Sequence, residues 1–132
     1  MKNLQLSLKK VWFEMTKSGV KTEDYREITD YWCRRLLEID EEIEWAAWQE
    51  LIGDLSNPKR KHDDVYECLS FFGVRFKKFD SNTMTLGYPK KGDPERTLIL
   101  EHKGIEIRTG NPEWGAEPNK LYFVIKHGKI IR

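Results

Sequence analysis

Cysteine is scarce in this chain. Cys33 and Cys68 are the only two, far apart and outside any Cys-x-x-Cys spacing. That excludes a disulfide framework and a thiolate metal knuckle, and leaves two inert thiols. No secretory leader pattern precedes them, so a reducing cytoplasm is the expected setting. Histidine is nearly as sparse: His62, His102 and His127 show no ligand spacing with one another or with the cysteines, and no structural metal is expected. No apolar run approaches membrane-spanning length, so no membrane partner is expected. No segment repeats, and no stretch has the composition of a disordered linker. Net charge is almost absent, +1 from 23 basic and 22 acidic residues.

What is present is a charged, aromatic-rich sequence of 132 residues, the length of one domain. Hydrophobic residues make up 39% and charged ones 34%, so the core must lean on five Trp, five Tyr and six Phe. The charge is unevenly placed. Segment 38–55 holds seven acids and no base, which leaves the rest of the chain at +8, enough to attract a polyanion.

Periodicity orders the elements. Leu4-Gln5-Leu6-Ser7-Leu8 alternates strictly and predicts a half-buried strand; Lys9 to Ser18 predicts a short helix closed by Gly19. Thr29 or Asp30 can cap the next helix. Its apolar stripe runs through Trp32, Leu36, Ile39 and Ile43 and continues through Trp48, Leu51 and Leu55, predicting one long helix to Gly53 or two broken near Asp40. Its acids Glu38, Asp40, Glu41, Glu42 and Glu44 form either a solvated face or a docking surface for a basic protein partner. Ser56 to His62 is a basic loop, and Asp63 to Phe72 a further helix ending at Gly73. The period then drops to two. Val74–Phe79 and Thr83–Tyr88 predict a hairpin around Asp80-Ser81-Asn82, and Thr97–His102 with Ile105–Thr109 a second around Lys103-Gly104. Leu121–Lys126 is the last strand. About seven mostly antiparallel strands and three helices make an α+β domain on a small barrel or strongly curled sheet.

Two stretches resist these patterns. In Gly19 to Ile28, six of ten residues are ionisable: Lys21, Glu23, Asp24, Tyr25, Arg26 and Glu27. Read as a strand, it puts Thr22, Asp24 and Arg26 on one face and Lys21, Glu23 and Tyr25 on the other; neither face is core. Such a strand lies at an edge or lines a polar cleft. Lys21 and Arg26 can hold phosphate, and so can Lys90-Lys91 in the polar turn from Pro89 to Glu95. Lys21 beside Asp24 can also shuttle a proton, and Asp24 with Glu113 can act as a base or share a divalent ion. The same three charges can instead simply pair and stabilise the fold. The second stretch, Gly110 to Asn119, sets Trp114 in a Gly/Pro frame, as a structural lid or as a stacking platform for a base.

Gly19-x-Lys21-x-x-Asp24-x-Arg26 resembles the Gly-x-Lys-x-x-Glu-x-Arg signature of the ASCH domain, in the PUA-like superfamily. Tyr25-Arg26-Glu27-Ile28 with Tyr31-Trp32, Lys103-Gly104-Ile105, Asn111-Pro112-Glu113-Trp114-Gly115-Ala116 and Tyr122 to Lys126 are similar to a branch found in bacteriophage and gut-bacterial genomes. The likeness covers about residues 3–32 and 74–130 and leaves residues 33–72 as a helical insertion. It implies a single PUA-like domain over 1–132: a mixed or antiparallel β-barrel with flanking helices and an insertion at about 30–72. It further implies a monomer that binds RNA or a modified nucleoside in a cleft between Gly19–Arg26 and Gly110–Glu117. Lys21, Tyr25, Arg26, Trp114, Lys90 and Lys91 would line that site. Alternatives are a small hydrolase, either an N4-acetylcytidine-type amidohydrolase or a single-stranded RNA nuclease, and a phage-encoded interaction module using the acidic 38–55 helix. For a hydrolase the resemblance carries over Lys21, places the amidohydrolase threonine on Asp24 with Thr22 close by, and matches the glutamate to Glu113. No cofactor is implied, except a divalent ion for the nuclease.

Overall fold

The computed structural model describes residues 2–59, 64–88 and 93–132. Among them are seven strands, four α-helices and two short 3-10 turns, a mixed α+β fold. Five strands hydrogen-bond in the order β1-β5-β6-β7-β2 and two in the order β3-β4.

β1 (Asn3–Leu8) buries Leu4, Leu6 and Leu8, as its alternation requires. α1 (Lys10–Lys17) turns Phe13 and Thr16 inward, one turn apart, and stops at Gly19, whose φ of +84° few other residues tolerate. β2 is only Glu23–Arg26, shorter than the predicted charged strand, and it ends the five-strand order. α2 (Asp30–Leu36) is capped by Thr29, whose Oγ1 accepts from the Trp32 N–H at 3.3 Å.

The long helix predicted beyond this point does not form. The chain leaves α2 for a three-residue strand, β3 (Leu37–Ile39), and α3 begins only at Trp45 and runs to Ser56. Continuing the helix would stack Glu38 on Glu42 and Asp40 on Glu44, like charges four residues apart. At β3 and just beyond it the acids find a cation instead: β3 pairs antiparallel with β4 (Val74–Phe76), and Arg75 there binds both Glu38 and Asp40. Gly53 sits inside α3 rather than ending it. α4 (Val65–Phe71) is capped by Asp64 and followed by Gly73 at φ +72°.

Neither predicted hairpin exists. β4 pairs with β3, while β5 (Ser81–Leu86) lies parallel to β1 and antiparallel to β6 (Thr97–Thr109). Ser81 and Asn82, read as a turn, are buried strand residues. Polar side chains tie them to the N-terminus: Asn3 Oδ1 accepts from Ser81 Oγ at 2.9 Å and from Thr83 Oγ1 at 2.7 Å. Lys103-Gly104 does not turn either. β6 passes straight through it, and only Gly104 takes a positive φ, +116°. β7 (Leu121–Ile130) runs longer than predicted.

The chain packs as two compact units. The first is Met1–Asp24, Lys78–Gly104 and Ile125–Arg132, with Leu4, Leu6, Phe13, Met84, Leu100 and Ile125 buried in it. The second is Tyr25–Lys77 and Ile105–Val124; it buries Leu36, Leu37, Trp48, Leu51, Leu69 and Phe123, and contains the whole 30–72 segment. No helix of the described residues is long and apolar enough to cross a membrane.

Candidate nucleic-acid interface

The motif stretch is shared between the two units, Lys21 and Asp24 in the first, Tyr25 and Arg26 in the second. Strand alternation puts Lys21 and Asp24 on opposite faces, yet both are buried, at 3% and 5% exposure. Lys21 precedes β2, where the chain turns off Gly19 with the Lys21 N–H donating to the Met15 carbonyl at 3.0 Å. Its ammonium donates to the Glu23 carbonyl at 2.6 Å and to Asp24 Oδ1 at 3.3 Å, with the Trp12 ring 6.0 Å away. A phosphate would have to displace Asp24 to reach it. Thr22 is exposed, and its carbonyl accepts from the His127 N–H.

A buried hydrogen-bonded chain accompanies that pair in the first unit. Asn82 is fully buried; its Oδ1 accepts from His102 Nδ1 at 2.7 Å, and its Nδ2 donates to His127 Nδ1 at 2.8 Å. An amide nitrogen only donates, so His127 Nδ1 is the acceptor and the proton sits on Nε2. That Nε2 is buried with no hydrogen-bond partner among the described residues. Burial pushes the His127 imidazole down to about 4; Asp24 opposes the shift, while Lys21 and His102 reinforce it. Burial lowers His102 as well. The first unit thus holds a charge-balanced Lys–Asp pair and a neutral histidine with a spare buried N–H. Nothing in the spacing of residues 82, 102 and 127 announces this group; only strand pairing assembles it.

In the second unit the motif strand meets the Trp114 loop. Tyr25 Oη accepts from the Asn111 N–H at 2.9 Å, and the Tyr25 ring lies 5.7 Å from that of Tyr122, whose Oη accepts from the Glu117 N–H at 2.9 Å. Gly110 allows this approach: a Cβ there would come within 2.8 Å of the Tyr25 ring and 2.7 Å of Ala116 Cβ. The loop is shaped locally by Asn111, whose Oδ1 accepts from the Glu113 N–H, and by Gly115 at φ +98°. Trp114 is half-buried on the 3-10 turn Pro112–Trp114, and Glu113 is exposed. The Arg26 guanidinium lies 4.9 Å from the Trp32 ring centre. Trp32 was expected in an apolar stripe but is only half-buried, because α2 is short and its first turn faces the cation. Lys90 and Lys91 lie outside the described residues.

The acidic 38–55 segment is divided among β3, a loop and α3, so it offers no single acidic helix. It borders a cavity of about 530 Å³ lined by Ile39, Ile43, Trp45, Trp48, Arg34 and two glutamates. Cys33 is fully buried and its thiol is pushed up to about 12, mainly by that burial, which leaves it unreactive. No group of His, Cys, Asp and Glu among the described residues is arranged to hold a metal ion. The chain matches no family model, no curated protein and no solved structure.

Proposed function

We propose that this protein is a PUA-like, ASCH-type module that binds RNA or a modified nucleoside, with the ligand seated beside Tyr25, Arg26 and the Gly110–Glu117 loop. One observation carries the reading. Two stretches singled out independently for their unusual chemistry are joined through the Tyr25–Asn111 hydrogen bond and the glycine-only approach at Gly110. Around that junction Trp114 supplies a partly exposed aromatic face, and Arg26 a guanidinium held by stacking. Stacking on an aromatic side chain is worth roughly 1–3 kcal/mol per base and tolerates any base.

The test is a binding panel of short single-stranded RNAs and modified nucleosides, read by fluorescence anisotropy and calorimetry. Trp114→Ala should weaken binding about tenfold or more, the loss of one stacked base. Unchanged affinity in that variant, or no binding by the parent, overturns the assignment.

A second reading, hydrolysis of a nucleoside amide or of an RNA phosphodiester, draws on the buried Lys21–Asp24 pair and the spare His127 Nε2–H, which can donate to a substrate carbonyl or phosphoryl oxygen. The same panel, run as single-turnover assays with and without divalent metal, separates the two. Product formation that Lys21→Ala abolishes with little change in affinity would favour the enzyme.

A further inference from the structure

We propose that the loop between β3 and α3 docks a basic, amphipathic peptide segment of another protein, laid across two adjoining cavities that share this loop as a wall. The proposal uses no residue of the nucleic-acid reading and stands or falls apart from it.

Residues 40–44 and everything around them belong to the second unit. The cavity of about 530 Å³ described above is walled by Ile39, Ile43, Trp45 and Trp48. A second cavity, of about 410 Å³, is bounded by Phe71, Phe72 and Gly73. Glu42 and Ile43 line both. Each cavity carries one large aromatic ring left in water: Trp45 is 75% exposed and Phe71 73%. Exposed apolar surface rimmed by polar groups marks an interaction site, and tryptophan is among the residues that most often anchor a partner.

Charge selects the occupant. Of the acids in this stretch, Glu38 and Asp40 are taken by Arg75. Glu41, Glu42 and Glu44 are exposed and form no ion pair among the described residues. Arg34, the only cation among the described lining residues, is already matched. Its Nε donates to Asp30 Oδ1 at 3.0 Å and its guanidinium lies 4.9 Å from the Trp48 ring centre. The walls therefore combine unmatched negative charge with apolar surface. Lysines or arginines alternating with apolar side chains complement both, the cations meeting the glutamates and the apolar groups meeting Trp45 and Phe71. Phosphates of RNA and anionic lipid headgroups are repelled by the same glutamates. A free amine satisfies a carboxylate but fills one cavity and leaves the other ring in water, so covering both takes a chain segment.

The experiment titrates a fluorescein-labelled synthetic peptide of alternating lysine and leucine against the protein, read by anisotropy at several salt concentrations. Two control peptides carry glutamate for lysine, or serine for leucine; both should bind at least tenfold more weakly. Trp45→Ala and Phe71→Ala, at exposed positions, should each weaken the lysine–leucine peptide about tenfold, with circular dichroism confirming that the variants fold. Glu42→Gln with Glu44→Gln should lower affinity at low salt and flatten its salt dependence. No binding, equal affinity for the serine control, or unchanged affinity in either aromatic variant overturns the proposal. Self-association of the unliganded protein that Trp45→Ala abolishes also overturns it, in favour of a second copy of this chain.

Discussion

A buried ammonium beside a buried carboxylate is tolerable only while both are present. Lys21 and Asp24 are enclosed together in the first unit, so removing one strands the other charge. Lys21→Met should destabilise the protein by roughly 3–5 kcal/mol, and Lys21→Met with Asp24→Leu should regain most of that loss. Urea denaturation of both variants measures it; a single variant as stable as the parent would mean that the pair does not support the fold. His127 makes a separate prediction about acid. Its folded value of about 4 lies below the ordinary 6.5, so the unfolded chain takes up the proton first as pH falls. The stability it contributes is complete above about pH 6.5 and is lost towards pH 4, a loss on the order of 3 kcal/mol. His102 shifts in the same direction and adds to it. Unfolding midpoints at several pH values between 7 and 4 should fall for the parent and fall less for His127→Gln, which keeps an acceptor for Asn82.

The elements show where a helical pattern yields to charge and strand pairing. The stripe from Trp32 to Leu55 has helical spacing throughout, yet Leu37–Ile39 is strand because it pairs with Val74–Phe76 and places Glu38 and Asp40 against Arg75. One consequence is that Ile43, which belongs to the apolar stripe on paper, lies half-buried in a loop, while Leu51 in α3 is fully buried. Leu51→Ala should cost about 2–5 kcal/mol. Ile43→Ala should cost less than half as much; equal losses in thermal or urea melts would restore residue 43 to the packed helix face. The same division explains why a docking surface along one acidic helix is not available: the acids sit on three different elements.

For the molecule as a whole, local pattern determined what depends on near neighbours. The alternation of β1, the closing glycines at 19 and 73, and the cap at Thr29 were all legible, because a capping oxygen or a left-handed glycine acts within a few residues. The two chemically unusual stretches were legible for the same reason: so many charges in ten residues, or a tryptophan in a Gly/Pro frame, cannot be ordinary core. Tertiary structure decided which strands meet. Asp80-Ser81-Asn82 has turn composition, but Ser81 pairs with Asn3, 78 positions away, and Asn82 is satisfied by two histidines, so the segment becomes a buried strand. Lys103-Gly104 likewise reads as a turn until partners on both sides hold β6 extended. The Arg26–Trp32 contact escaped a reading of periodicity because a tryptophan on a helical stripe looks apolar, and whether Arg26 covers it depends on another element. The sequence by itself therefore determined the first strand, the glycines that close two helices, the Thr29 cap and the two candidate stretches. Only the tertiary structure joined Tyr25 to Asn111, 86 residues apart, and enclosed Lys21, Asp24 and His127, because pairing between distant segments is chosen by the sum of burial and polar satisfaction over the whole chain rather than by any local propensity.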